Sequence, residues 1–155
     1  MGNGKIVILL QCNTKMGTEK MQEILTIQVR TTEFLKVKGS RAEALMITFD
    51  GTCDCENFKG KILPGGVDTQ KEFYPEPRTL SARYMLEGVD RERKACHIFI
   101  ENNGVAGEKG MVEKTTPRII TDSECLNWME AADLSGTITP WEKGVIIHIF
   151  EKECD

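Results

Sequence analysis

Short apolar runs with a period of two, broken by turn residues, organise most of this chain. Leu25, Ile27 and Val29 alternate with Thr26, Gln28 and Arg30, as in a strand with one buried face. Residues 44–49 and 58–63 are apolar runs of strand length, closed by Gly51-Thr52 and by Pro64-Gly65-Gly66. Leu80, Ala82, Tyr84 and Leu86 alternate with Ser81, Arg83, Met85 and Glu87, before a turn at Gly88-Val89-Asp90. A further strand is expected over 96–102, ended by Asn103-Gly104. Residues 111–120 read as extended, with Pro117 marking an edge or a bulge. Residues 145–151 are apolar on both faces, which suits a central or barrel strand.

One segment breaks this period. Residues 123–132 are good helix formers, and the short side-chain oxygens of Asp122 or Ser123 can cap them. The pattern therefore predicts a mainly β protein: seven or eight strands in an antiparallel barrel or sandwich, with one short helix between the last two strands. A closed barrel of about eight strands can hold one small ligand inside.

The 155 residues fit one domain. Residues 1–20 read as a loosely attached leader, with turn chemistry at Asn3-Gly4 and around Asn13-Thr14, and residues 21–155 as the β-domain. Charge narrows the partners. With 24 acidic and 20 basic residues and a net charge of −4, the chain lacks the basic face of a nucleic-acid binder. Its densest basic run, Arg91-Glu92-Arg93-Lys94, reads as a solvated hairpin tip. No apolar run approaches the ~20 residues of a membrane span. Residues 6–10 are too short for a signal-peptide core, and Ile6 stands where a myristoylation motif needs Ser or Thr. A cytoplasmic location is expected.

The six cysteines are spread along a chain long enough to bury a core without staples, so they are read as reduced, small hydrophobes. Cys53-Asp54-Cys55 is the tight pair, and it has no C-x-x-C partner elsewhere, so neither zinc nor redox chemistry is expected. Two histidines, His97 and His148, cannot make a three-histidine metal site. No metal and no cofactor are expected.

No nucleophile elbow, Walker-type loop or zinc-protease motif occurs, and Gly60-Lys61 lacks the Ser or Thr step of a phosphate cradle. Candidate chemistry rests on polar residues inside strand patterns. Arg83 sits between Ala82 and Tyr84, and Asn102 closes the apolar face of Ile98 and Ile100. A buried amide or guanidinium needs a partner, so such positions are hydrogen-bond hubs or ligand contacts. Asp68, after two glycines and a valine, reads as a turn residue or as one that orients a ligand.

Several of these strings resemble a known family. Gly60-Lys61-Ile62-Leu63-Pro64-Gly65-Gly66-Val67-Asp68 looks like the core of the domain of unknown function 3237 family, also called uncharacterised protein family 0311. Leu80-Ser81-Ala82-Arg83-Tyr84-Met85-Leu86 and Ile98-Phe99-Ile100-Glu101-Asn102-Asn103-Gly104 are similar to two of its strands. Thr115-Thr116-Pro117-Arg118 and Leu126-Asn127 resemble later segments, so the likeness runs over about residues 22–151. It implies a single antiparallel β-barrel of calycin-like or allene-oxide-cyclase-like form, in bacteria and fungi, with no general activity attached. The chain departs from the pattern at Thr69, Lys114 and Trp128, which implies a less aromatic pocket.

The expected function is binding of a small apolar or carboxylate-bearing molecule inside the barrel. Asp68, Arg83, Asn102 and Arg118 are the polar candidates, and Tyr84 and Trp128 the aromatic ones. Whether the protein is an enzyme stays open, with catalytic residues unassigned. An isomerase, cyclase or lyase step would need only a shaped site and one acid–base group. The alternative is a non-catalytic structural or interaction protein, and a homo-oligomer is expected in either case.

Overall fold

The computed structural model describes residues 19–154. Cys12 and the expected leader lie outside the described residues, except that Glu19 and Lys20 open the first strand. Nine strands follow in order: β1 Glu19–Lys38, β2 Ala42–Asp54, β3 Phe58–Ile62, β4 Val67–Phe73, β5 Thr79–Asp90, β6 Ala95–Val105, β7 Thr115–Thr121, β8 Leu134–Trp141 and β9 Gly144–Cys154. Antiparallel pairing runs from β1 through β9, β8, β7, β6 and β5, and returns through β3, β4 and β2 to β1, closing a ring.

Strands β3 and β4 share one position in that ring. The end of β2 pairs with β3 (Cys53 opposite Gly60), while its start pairs with β4 (Ile47 opposite Asp68). On the other side β5 does the same, with Gly60 opposite Gly88 and Asp68 opposite Ala82. The barrel therefore has eight staves, one of them split by the turn at Leu63–Gly66. Its strands are steeply staggered. A register row that leaves β1 at Lys36 passes Leu45, Gln70, Leu80, Gly104, Thr115, Gly136 and Ile149 and re-enters β1 at Leu25. Such an offset is what a closed barrel of tilted strands requires.

Alternation decides which side chains enter the ring. Leu25, Ile27, Phe58, Leu86, Ile98, Ile100 and Ile149 are all fully buried. Each such side chain contributes about 1.5–3 kcal/mol over an exposed one.

The expected helix is reduced to one 3₁₀ turn, Asn127–Glu130, and it lies between β7 and β8 rather than between the last two strands. The reason is that both expected caps are engaged elsewhere. Ser123 Oγ donates to Asp90 Oδ2 at 2.8 Å, and Asp122 accepts from the His97 backbone at 2.6 Å. The segment serves another purpose. Strands β7 and β8 meet only at Thr115 and Gly136. The chain leading from β7 to β8 brings Leu126 and Met129 into the core, with Trp128 half-buried against it.

Strand β1 runs past its neighbour. Its pairing with β9 ends at Arg30, so residues 32–38 hold only β2 and expose Leu35 and Val37. Lys36 and Lys38 lie on this edge, where charge discourages edge-to-edge pairing. Among the described residues no helix is long and apolar enough to cross a membrane.

Candidate functional site

The two ends of the barrel interior differ in chemistry. Around β3, the split stave and its neighbours supply Phe58, Ile62, Leu86 and Ile98, all apolar and buried. Around β4 the inward positions turn polar. Asp68, Ala82, Asn102 and Pro117 lie directly opposite one another on β4, β5, β6 and β7 and so share the inner face. Gln70 and Thr115 belong to the adjacent row on one side, and Tyr84 with Ile100 to the row on the other.

Four buried oxygens in these rows have no hydrogen-bond partner within the protein: Asp68 Oδ1, Tyr84 OH, Asn102 Oδ1 and Thr115 Oγ1. Asn102 and Thr115 are 1% exposed and Tyr84 is 2% exposed. An unpaired buried polar atom costs about 1–3 kcal/mol, so four on one inner wall call for a polar occupant. The fifth such atom, Ser81 Oγ, belongs to the opposite face of β5.

The rest of each side chain is fixed. Gln70 Nε2 donates to Asp68 Oδ2 at 2.9 Å, which orients the carboxyl and leaves Oδ1 facing the interior. The Tyr84 ring stands edge-on to Phe49, with centroids 5.3 Å apart. Thr115 Oγ1 lies over Gly136, where any Cβ would come within 2.3 Å of it. Burial raises the Asp68 carboxyl above its ordinary value, against the opposing effect of the Gln70 amide. It also pushes the Tyr84 phenol up, so that hydroxyl stays protonated.

Just beyond these rows the barrel end is capped by charge. Arg78 donates to Glu43 at 2.6 Å and pairs with Glu72 at 3.3 Å, while Lys36 reaches Glu43 at 3.3 Å.

The raised Asp68 value gives a test in stability. The folded protein holds this proton more tightly than the unfolded chain. Its contribution is therefore complete below the ordinary aspartate pKa of about 4 and is lost as pH rises through the folded value. Asp68→Asn removes that loss. Urea melts at several pH values should show the variant gaining on the wild type as pH rises from about 4 toward neutrality. Parallel curves for the two proteins would contradict an Asp68 that binds its proton more tightly in the fold than in the unfolded chain.

The structure separates the residues expected from sequence into two groups. Asp68, Tyr84 and Asn102 share the interior end described above. Arg83 and Arg118 do not join them. Both flank Glu101 on the outer face, where Arg83 Nε lies 3.1 Å from the Glu101 carboxylate and Arg118 is exposed. Trp128 packs against the core from the segment joining β7 and β8. Gln70, Thr115 and the Arg78 cluster were not expected from sequence. The signal for Gln70 was its place two residues after Asp68 on an extended segment.

The histidines are occupied in outer-wall pairs. His97 sits between Asp122 (3.0 Å) and Glu87 (3.1 Å), and His148 between Glu23 (2.8 Å) and Thr139 (2.9 Å). Among the described residues no group of three or more His, Cys, Asp or Glu is placed to hold a metal. Two surface depressions lie elsewhere. One of 250 Å³ is lined by Asp90, Lys94, Ser123 and Cys125, and one of 680 Å³ by Thr48, Phe49, Lys61 and Gly66. Neither contains any of the unpartnered oxygens.

No family model matches the chain. A UPF0311 protein of Clostridium acetobutylicum is 39% identical over 61 residues, which is 39% of this chain and 36% of that protein. The matched stretch thus spans about a third of the length of that curated relative. A crystal structure of a protein of unknown function from Clostridium acetobutylicum has a TM-score of 0.73 at 22% identity, covering 86% of this chain and 99% of that one. A β-barrel-like protein from Acinetobacter baumannii has a TM-score of 0.70 at 17% identity, covering 90% of this chain and 99% of that one. An enzyme from Penicillium herquei has a TM-score of 0.70 at 13% identity, covering 90% and 98%. These likenesses are of fold, and they agree with the β-barrel.

Proposed function

We propose that the protein binds a small, mostly apolar, uncharged molecule bearing hydroxyl or carbonyl groups at the β4 end of the barrel interior. The observation that carries this reading is the set of four partnerless buried oxygens on one inner wall. The Tyr84 and Thr115 hydroxyls can donate or accept, the Asp68 and Asn102 oxygens accept, and the apolar side chains around Ile100 suit a hydrocarbon frame. A carboxylate-bearing ligand fits less well. Arg83 and Arg118 face outward, and Arg78 already serves two glutamates.

If the bound molecule reacts, Asp68 is the acid–base group. Its carboxylate takes a proton from one atom of the substrate, and the resulting carboxylic acid returns it to another, giving isomerisation or ring closure with no cofactor. Desolvation raises its affinity for that proton, against the opposing Gln70 hydrogen bond. The fold likeness to a barrel described as an enzyme supports only the statement that this architecture carries catalysis in that protein.

A thermal-shift screen of neutral phenols, hydroxyketones and small carboxylates tests the reading. A ligand at a hundred times its Kd adds about 2.7 kcal/mol of stability. Neutral compounds should stabilise the wild type and the outward-facing Arg83→Ala variant equally, and should fail on Asn102→Leu. Hits that act on Asn102→Leu as on the wild type would place binding elsewhere.

A further inference from the structure

Cys53 and Cys55 were expected to carry no redox chemistry, because nothing in the sequence resembles a second pair. Their arrangement argues otherwise. Cys53 lies near the end of β2 on the inner face, opposite Ile27 and Gly60, and is 2% exposed. Cys55 follows one residue later in the turn to β3 and is only half-buried. The turn is pinned by Asn57 Nδ2 donating to Ile24 O at 2.9 Å and by Cys55 N donating to Phe58 O at 3.0 Å. This folds the two thiols onto each other, with the sulfur atoms 3.3 Å apart, and both also lie against the Phe58 carbonyl at 3.7 and 3.4 Å.

We propose that Cys53 and Cys55 form a thiol–disulfide exchange site that reacts with low-molecular-weight disulfides, with Cys55 as the attacking thiol and Cys53 as the resolving one. A disulfide spans about 2.05 Å, so the sulfurs need to approach by only ~1.3 Å, which side-chain torsions in an exposed turn can supply. The roles follow from access and proton placement. Only Cys55 meets solvent to an appreciable degree. The Cys53 thiol, together with backbone groups at Thr26 and Phe58, holds Cys55 down to about 6, while Cys53 itself is pushed up. One thiolate and one thiol in contact is the state from which exchange starts.

The steps balance. The Cys55 thiolate attacks one sulfur of the incoming disulfide, forming a mixed disulfide and expelling one thiolate. Cys53 then gives up its proton to solvent, and its thiolate attacks Cys55 Sγ, closing the Cys53–Cys55 bond and expelling the second thiolate. The protein loses two electrons and two protons, and the small disulfide becomes two thiols. A dithiol reductant reverses the sequence.

Glutathione disulfide is the probe, applied to the folded full chain, with the urea-unfolded chain as the reactivity standard and peptide mapping as the readout. The wild type should show a Cys53–Cys55 disulfide and no retained glutathione on either residue. Cys53→Ser should trap a stable glutathione adduct on Cys55, and Cys55→Ser should leave Cys53 unmodified. The idea is overturned if the wild type retains glutathione on Cys55, if Cys53 reacts in Cys55→Ser as fast as in the unfolded chain, or if neither residue reacts in the folded protein. Serine is close to isosteric here, and melting curves matched to the wild type keep a failed fold from being read as a failed site.

Discussion

Gly88→Ala is expected to destabilise the protein by about 3 kcal/mol or more, among the largest effects of any single methyl group in this barrel. The cause is close approach of two chains. Gly88 on β5 lies opposite Gly60 on β3, and a Cβ on Gly88 would stand 2.0 Å from Lys59 O and 2.6 Å from Gly60 Cα. These are backbone atoms, so no rotamer change relieves the clash and the strands themselves must part. Separating them pulls on Phe58, whose ring packs against Gly60 and is fully buried. Gly107→Ala is the control. Its added carbon would meet nothing closer than 3.6 Å, so its cost should stay within about 0.5 kcal/mol. Urea melts of the two variants measure both, and a Gly88→Ala protein within 1 kcal/mol of the wild type, on the ~1–3 kcal/mol scale of overpacking, would show that the sheet yields here at little cost.

The second large effect has the opposite sign. Asn102→Leu should stabilise the ligand-free protein by about 1 kcal/mol while removing binding at the β4 end. Asn102 is 1% exposed between Ala82 and Pro117, and its Oδ1 has no partner in the protein. Leucine keeps the branch at Cγ and the number of heavy atoms, takes away a desolvated carbonyl and breaks no hydrogen bond to that oxygen. A structural polar group gives the reverse result. If Asn102 serves the fold by holding buried water, the leucine variant loses stability by about the same amount. The sign of the change in melting midpoint, read beside the ligand screen, therefore separates a binding residue from a framework residue. Stability held below its optimum at a site is the ordinary signature of a position kept for function.

Much of the barrel was legible in the sequence because burial on one face writes a period of two. The alternation of Leu80, Ala82, Tyr84 and Leu86 gives β5 its inner face, and it already assigns Arg83 to the outer one. Strand β4 was not legible for the reason that makes it interesting. Its inward residues Asp68 and Gln70 are polar, so a strand that carries the carboxyl of the candidate site shows no buried apolar face. Strand β8 was hidden by Gly136, which makes room for Thr115, and by Pro140 near its end. The helix expected over 123–132 failed through competition. Ser123 and Asp122 had the right chemistry to cap it, but Asp90 and His97 hold them. Contacts between distant segments, such as the Asn57 anchor on Ile24 or the Arg78 cluster, leave no periodic trace at all.

The stave arrangement also sets an order of events. The β1–β2 hairpin draws on neighbouring sequence and can form early, with Val37 opposite Ala44 near its turn. The seam that closes the ring joins β1 to β9, with Lys20 opposite Glu153 and Arg30 opposite Gly144. That seam cannot form until residues 144–154 have been synthesised, and it closes the longest loop in the fold, so it carries the greatest entropic cost of any pairing. A topology of this kind folds on the millisecond-to-second scale, slower than a helical chain of equal length. Until closure, the flank of β1 that β9 will cover, including Leu25 and Ile27, stays open to solvent. The dangerous interval for this chain is therefore the wait for its last strand, when an open sheet with an apolar inner face meets other nascent chains.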